Sequence, residues 1–221
     1  MDESEPISDA KLVFYLERRK QIDEWAKLVE VEKVVAHQFM LSLQRDIIEL
    51  ARVQDPEIGV DHLVLDSEQL IAMWRPSWLP TDATARTPIP RAMIAIGWWR
   101  SVRFEASNAP WVGLRMGTSR DDLRPVIGPW AAGAAITKGA FPAGNPVGKG
   151  VWVRYGSVPV TTARYWEDLR PYRTALVNAV SDAWGVFADV VDAALQHQSD
   201  DTIMRREDTP PWSKQPEDLD N

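Results

Sequence analysis

The sequence predicts an α+β fold: a long N-terminal helix or helical hairpin, a small antiparallel sheet, a long C-terminal helix packed on the sheet, and a disordered tail. Three observations predict it. Between Pro6 and Pro56, 49 residues pass without a proline or glycine, and few structures other than helix use so long a stretch. In the aromatic and β-branched segment 92–106, Val102 and Phe104 alternate with Arg103 and Glu105, and turn chemistry separates it from Trp111 to Met116. From Leu169 to Leu195 apolar residues recur at steps of three and four.

In the first helix Tyr15, Ile22, Val29, Ala36, Leu43 and Leu50 recur every seven positions, with Leu12, Ala26, Met40 and Ile47 on the adjoining row. Together they form one apolar stripe. Arg19 and Lys33 interrupt the second row, so the helix is expected to bend or break near 30–33, a hairpin turning at Val29 to Lys33 being the alternative. Ser8 is a good N-cap, and Asp9 in the first turn complements the helix dipole.

Residues 60–74 read two ways: His62 to Leu65 as a strand, and Asp66 to Gln69 as a capping box opening a short helix. Four prolines between Arg75 and Arg91 make that segment a loop. A strand follows over 92–106, then a turn at Ser107 to Pro110 and a returning strand over Trp111 to Met116. Trp130 to Ile136 reads as a short helix or a buried segment, Gly139 to Gly150 as a connection, and Val151 to Tyr155 as a further strand.

The C-terminal helix, 168–197, carries Leu169, Tyr172, Leu176, Val180, Trp184, Phe187, Val191 and Leu195 on one face. Pro171 suits its first turn. Trp184 is expected to be a buried anchor, with Gly185 beside it admitting a close neighbour. Residues 1–7 and the acidic segment 199–221 are expected to be disordered, leaving 8–198 as one domain: a helical extension at 8–55, a sheet region at 60–160 and the last helix.

With 45% hydrophobic and 26% charged residues, the 221-residue chain can bury a core, which excludes wholesale disorder. The absence of cysteine removes disulfides, thiolate metal sites and a cysteine nucleophile, and fits a reducing compartment. Asp2, Glu3 and Glu5 are unlike a secretory start, and no apolar run approaches the roughly 18 residues of a membrane span. A cytoplasmic protein without membrane association is expected.

The net charge of −7 hides a division. Residues 86–173 hold thirteen Lys/Arg against five Asp/Glu, while the remainder is strongly acidic. In that basic centre Trp98, Trp99 and Trp111 are interleaved with Arg100, Arg103, Arg115, Arg154 and Arg164. Arginines beside exposed aromatic rings hold phosphates and stack bases. The same residues also suit a plain sheet, with buried tryptophans and solvent-facing arginines.

Catalytic groupings fail on inventory. His37, His62 and His197 are far apart and lack a metal-ligand spacing, and no Gly-x-Ser-x-Gly elbow occurs. Gly144 to Gly150 resembles a phosphate loop, but its first glycine is one residue too close, Gly150 replaces the Ser/Thr, and a strand rather than a helix follows. No catalytic residue, metal or cofactor is therefore expected. The leading expectation is a non-enzymatic interaction protein with a protein partner or self-association. The alternative is nucleic-acid or nucleotide-phosphate binding through residues 86–173, and an enzyme with an unfamiliar site is the third reading.

Overall fold

The structure, a computed structural model, describes residues 9–80, 88–100, 102, 109–118, 121–145, 149–159 and 169–207. The chain divides into two compact units, Met1–Ser42 and Leu43–Asn221. Helix α1, Asp9–Gln54, supplies residues to both. It runs without interruption through 29–33, so neither the expected break nor the hairpin occurs. Lys33 is exposed and a good helix former, and no proline or glycine stands there to interrupt the backbone ladder; its ammonium pairs with Glu30 at 2.7 Å. Ser8, the expected cap, and the N-terminal segment 1–7 lie outside the described residues.

Within the second unit the last turns of α1 bury Leu43, Ile47 and Ala51. Asp46 accepts a hydrogen bond from Arg173 Nε at 2.6 Å, joining these turns to the start of the last helix.

Five antiparallel strands form a meander in sequence order: β1 Gly59–Leu65, β2 Glu68–Trp74, β3 Ala92–Trp99, β4 Trp111–Met116 and β5 Trp152–Ser157. The capping-box reading of Asp66 to Gln69 gives way to a hairpin. Leu65 pairs with Glu68, and the two residues between them, Asp66 and Ser67, both take positive φ, 50° and 67°. That is the mark of a type I′ turn, whose twist matches the flanking strands. β3 ends at Trp99, earlier than expected, because Arg100 turns to φ 65° and its N–H bonds the Ser67 carbonyl at 2.7 Å. Except for Val102, the alternation expected at 102–105 lies outside the described residues.

Helix α2, Arg124–Lys138, is longer than the expected 130–136. Pro125 sits in its first turn, where a missing N–H costs nothing, and Pro129 removes a single ladder bond without ending the helix. Gly139 closes it at φ 63°, its N–H on Ile136 O and that of Ala140 on Ala135 O, a Schellman pairing that favours glycine. Arg91 clamps the segment before α2 through Asp121, at 2.8 Å, and Asp122, at 2.6 Å.

Helix α3, Arg170–Glu207, extends past the expected end at His197 into the segment expected to be disordered. No proline or glycine occurs between Gly185 and Pro210 to stop it, and Ser199 Oγ folds back onto Leu195 O at 3.0 Å rather than competing for the backbone. Residues 208–221 lie outside the described residues. α3 packs across β3 and β4, with α2 against α3 and β5. Ile94, Ile96, Trp98, Val112, Leu114 and Met116 meet it from the sheet, all buried. The buried seam of α3 includes Tyr172, Leu176, Val180, Trp184, Phe187 and Val191 as the spacing requires, then passes to Ala194 instead of Leu195.

Trp184 stacks on Trp78 with centroids 5.4 Å apart, and the Arg75 guanidinium lies 5.5 Å from its ring centroid. Asp192, two turns further along α3, accepts from Arg75 and from the Trp78 indole, the latter at 2.6 Å. Trp78 belongs to a 3₁₀ turn, Pro76–Trp78, so this group holds the segment after β2 against α3. Gly185 does not admit a close neighbour: a side chain there would meet nothing within 4 Å. Its helix cost has no counterpart in packing.

Trp184→Ala should lower unfolding stability by roughly 3–5 kcal/mol, the cost of removing a buried large aromatic, read from urea denaturation; a loss below about 1 kcal/mol would contradict the stacked, buried ring. A second outcome concerns Tyr172, whose burial against the sheet pushes its phenol above the ordinary 10.0. Below that value both folded and unfolded chains keep the proton, so the contribution is intact. Above it only the unfolded chain ionises, and stability falls. The urea midpoint of Tyr172→Phe should therefore decline less than that of the parent between about pH 9 and pH 11; equal declines would refute the assignment.

Candidate functional site

The sheet has a second face, away from α3. Leu70, Ala72, Met93, Ala95 and Trp152 are buried there, with Leu63, Leu65, Trp74, Trp111 and Tyr155 packed against them. One charged pair shows how far the sheet curls over itself on this face. Arg115 Nε donates to Glu68 Oε2 at 2.9 Å, while Trp152 Nε1 donates to Glu68 Oε1 at 3.0 Å. In the ladder Glu68 pairs with Trp99 and Arg115 with Met93, six positions apart along β3. In a flat sheet that offset is about 20 Å along the strands alone, too far for two side chains to meet. The β1–β2 hairpin corner is therefore folded over onto the opposite corner, where β4 ends and β5 begins.

Small residues make the curl feasible. Gly97 lies beneath the Trp152 ring and the Leu70 side chain, where any Cβ would collide with both. Gly113 stands where β5 approaches so closely that a side chain would run into the Arg154 carbonyl, next to the register shift at Leu114/Arg115. Arg115 is fully buried, and its remaining donors go to Met116 O at 2.7 Å and to Asp66 Oδ2 at 3.1 Å in the hairpin turn.

The arginines and tryptophans singled out in the sequence are distributed around this framework rather than gathered. Arg115 is inside the curl. Trp98 is buried on the α3 side, Trp99 is half exposed, and Trp111 is part of an aromatic cluster with Trp152 and Tyr155, at 5.9 and 5.4 Å. Arg100 is exposed at the end of β3. Arg154 donates to Pro142 O at 3.0 Å. Arg103 and Arg164 lie outside the described residues.

Arg154 does line a cleft of about 360 Å³ together with Arg124, Gly128, Asn145, Gly144 and Val153. Arg124 begins α2, is buried, and donates to Asn145 O at 2.8 Å and Trp152 O at 3.3 Å. Burial pulls its guanidinium below the ordinary arginine range. Ala143 to Asn145 run along β5 at this cleft, with Asn145 N on Trp152 O and an isolated bridge from Ala143 to Tyr155. Arg124 was not among the arginines singled out in the sequence, because it precedes the segment 130–136 that was read as a short helix.

The first unit presents a different kind of surface. Between Leu12 and Val34, ten large apolar side chains of α1 are exposed, among them Leu12, Tyr15, Leu16, Trp25, Leu28 and Val29. In the much longer second unit the described residues expose six, and these are scattered. Leu28, at 63%, and Leu16, at 60%, are as open as surface lysines. Leu12, Tyr15 and Val29 belong to the heptad rows and Leu16 and Trp25 flank them, while Val13, Phe14, Leu28, Val31 and Val34 lie on other faces of the helix.

No protein-family model, curated protein or solved structure matches the chain. Among the described residues no three His, Asp or Glu side chains are gathered as a metal site would need, and no helix is long and apolar enough to cross a membrane.

Glu68→Ala should destabilise the protein by about 3–5 kcal/mol, because Arg115 is left buried without its carboxylate. The double variant Glu68→Leu/Arg115→Met should recover much of that loss in the same urea titration, although Trp152 lacks its acceptor in both. A double variant no more stable than the single one would place the cost in Trp152 instead.

Proposed function

We propose that the protein is a non-enzymatic assembly protein that associates through the exposed apolar stripe of α1. The observation carrying this reading is the density of large apolar side chains open to solvent between Leu12 and Val34. Helices of ordinary composition draw most of their stability from packing an apolar face, and here Leu12, Tyr15 and Val29 on the two heptad rows, with Leu16 and Trp25 flanking them, are open to solvent. The same seven-residue stripe supports the reading further along, since Leu43 and Ile47, on its two rows, are buried inside the second unit. One pattern thus serves as a packing surface where a partner is present in the chain, and its continuation calls for a partner of the same kind.

A second reading, binding of a phosphate-bearing ligand or nucleic acid, is favoured by the cleft that places Arg154 and Arg124 beside Asn145 and Gly144. It requires binding that weakens steeply with salt. Titration with pyrophosphate and with a single-stranded oligonucleotide at low salt, repeated on Arg154→Ala, tests it: no saturable signal from either ligand would end this reading.

Sedimentation equilibrium tests the first. The parent chain should sediment above its single-chain mass, and Ile22→Asp/Val29→Asp should return it to that mass without moving the melting temperature by more than a few degrees, because neither residue is buried in the second unit. A parent that sediments as a single chain up to about 100 µM, well above the concentrations at which specific interfaces form, would overturn the proposal.

A further inference from the structure

We infer that the occupant of the stripe is a second copy of this chain lying antiparallel, with Arg19 opposite Val29 and Arg18 facing Glu32 of the other copy; the inference rests on the assembly reading above. The two rows of the stripe are Leu12, Arg19, Ala26, Lys33 and Tyr15, Ile22, Val29. A parallel, in-register pair stacks Arg19 on Arg19 and Lys33 on Lys33, two like-charge layers in the centre of the interface. Sliding a parallel pair by seven residues relieves both layers, but the contact is then head-to-tail and does not close on two chains. An antiparallel pair is closed by a two-fold axis and sets one row against the other.

In that arrangement Lys33 meets Tyr15, Arg19 meets Val29 and Ala26 meets Ile22. Each base then lays its aliphatic stem over an apolar side chain and carries its charge to the edge. The flanking row Arg18, Trp25, Glu32 becomes self-complementary: Arg18 of one copy faces Glu32 of the other, twice, and Trp25, exposed in the single chain, meets its own counterpart at the axis. The opposite flank brings Asp23 to Asp23, the one like-charge meeting, and each Asp23 has Arg19 3.9 Å away on its own helix to offset it. Over residues 9–42 six bases balance six acids, so two copies approach without net repulsion.

Because the chain contains no cysteine, every engineered disulfide is assignable. Arg19→Cys and Val29→Cys, made separately, mixed in equal amounts and oxidised, should give the mixed 19–29 disulfide as the dominant linked species by intact mass. Dominant 19–19 and 29–29 links, or a parent mass above two chains, would overturn the antiparallel pair while leaving assembly through the stripe standing. A parent that sediments as a single chain would remove both. As a second measurement, Arg18→Glu should weaken self-association roughly tenfold, and adding Glu32→Arg in the same chain should restore it; no restoration would rule out this register.

Discussion

The buried contact between Arg115 and Glu68 is the constraint on which the body of this protein depends. A five-stranded meander with helices on one face has a second face to bury, and here one corner of the sheet is drawn onto the other. The carboxylate that draws the two corners together also accepts the Trp152 indole, so the ring is set over Gly97 and fills the concave side. A buried ion pair is weak evidence for added stability, because desolvation offsets the attraction. Its structural effect is geometric: an apolar pair would pack at many offsets, whereas a guanidinium with a single buried carboxylate has one place to go.

The other face is held by different means. Trp78, Trp184, Arg75 and Asp192 join the segment after β2 to the middle of α3 by stacking, a cation over a ring and two hydrogen bonds to one carboxylate. Both faces of the sheet are thus closed by residues of the second unit, using tryptophan as the space-filling group and a carboxylate as its acceptor. Of the eleven tryptophans, Trp78 and Trp152 follow that pattern, and Trp98 and Trp184 are buried in the same core. Their burial explains why the interleaving of arginine and tryptophan in the basic centre was an ambiguous signal. Arg115 and Trp98 are consumed by the fold, while Arg154 reaches a cleft, and nothing in their spacing separates the two outcomes.

The elements were legible wherever periodicity ran long. α1 and α3 followed from their stripes, and β3 with β4 from composition around a turn. The misreadings share a cause, which is that local chemistry has two meanings when tertiary context is unknown. Asp66-Ser67 before Glu68 offers a helix cap or a left-handed turn, and the alternation of β1 and β2 decides for the turn. The short helix was read as starting only at Trp130, yet Pro125 sits in the free first turn of α2 and Pro129 costs a single bond. The curl of the sheet left no local mark in the sequence: Glu68 and Arg115 are 47 residues apart.

The exposed stripe of α1 shows the same limit from the other side. Heptad spacing states that a helix face is to be covered, and it does not state by which chain. In the second unit Leu43, Ile47 and Ala51 are buried, so there the pattern is discharged within the molecule. Earlier in the same helix the apolar residues continue, but so do Arg19 and Lys33, which a buried intramolecular seam would have to pair or desolvate. Cations at core positions are tolerated where their heads can reach the edge of a two-helix contact, and they discriminate among registers by excluding those that stack them on each other. The interruptions that first looked like a weakening of the helix are, on this view, the residues that select the orientation of the partner.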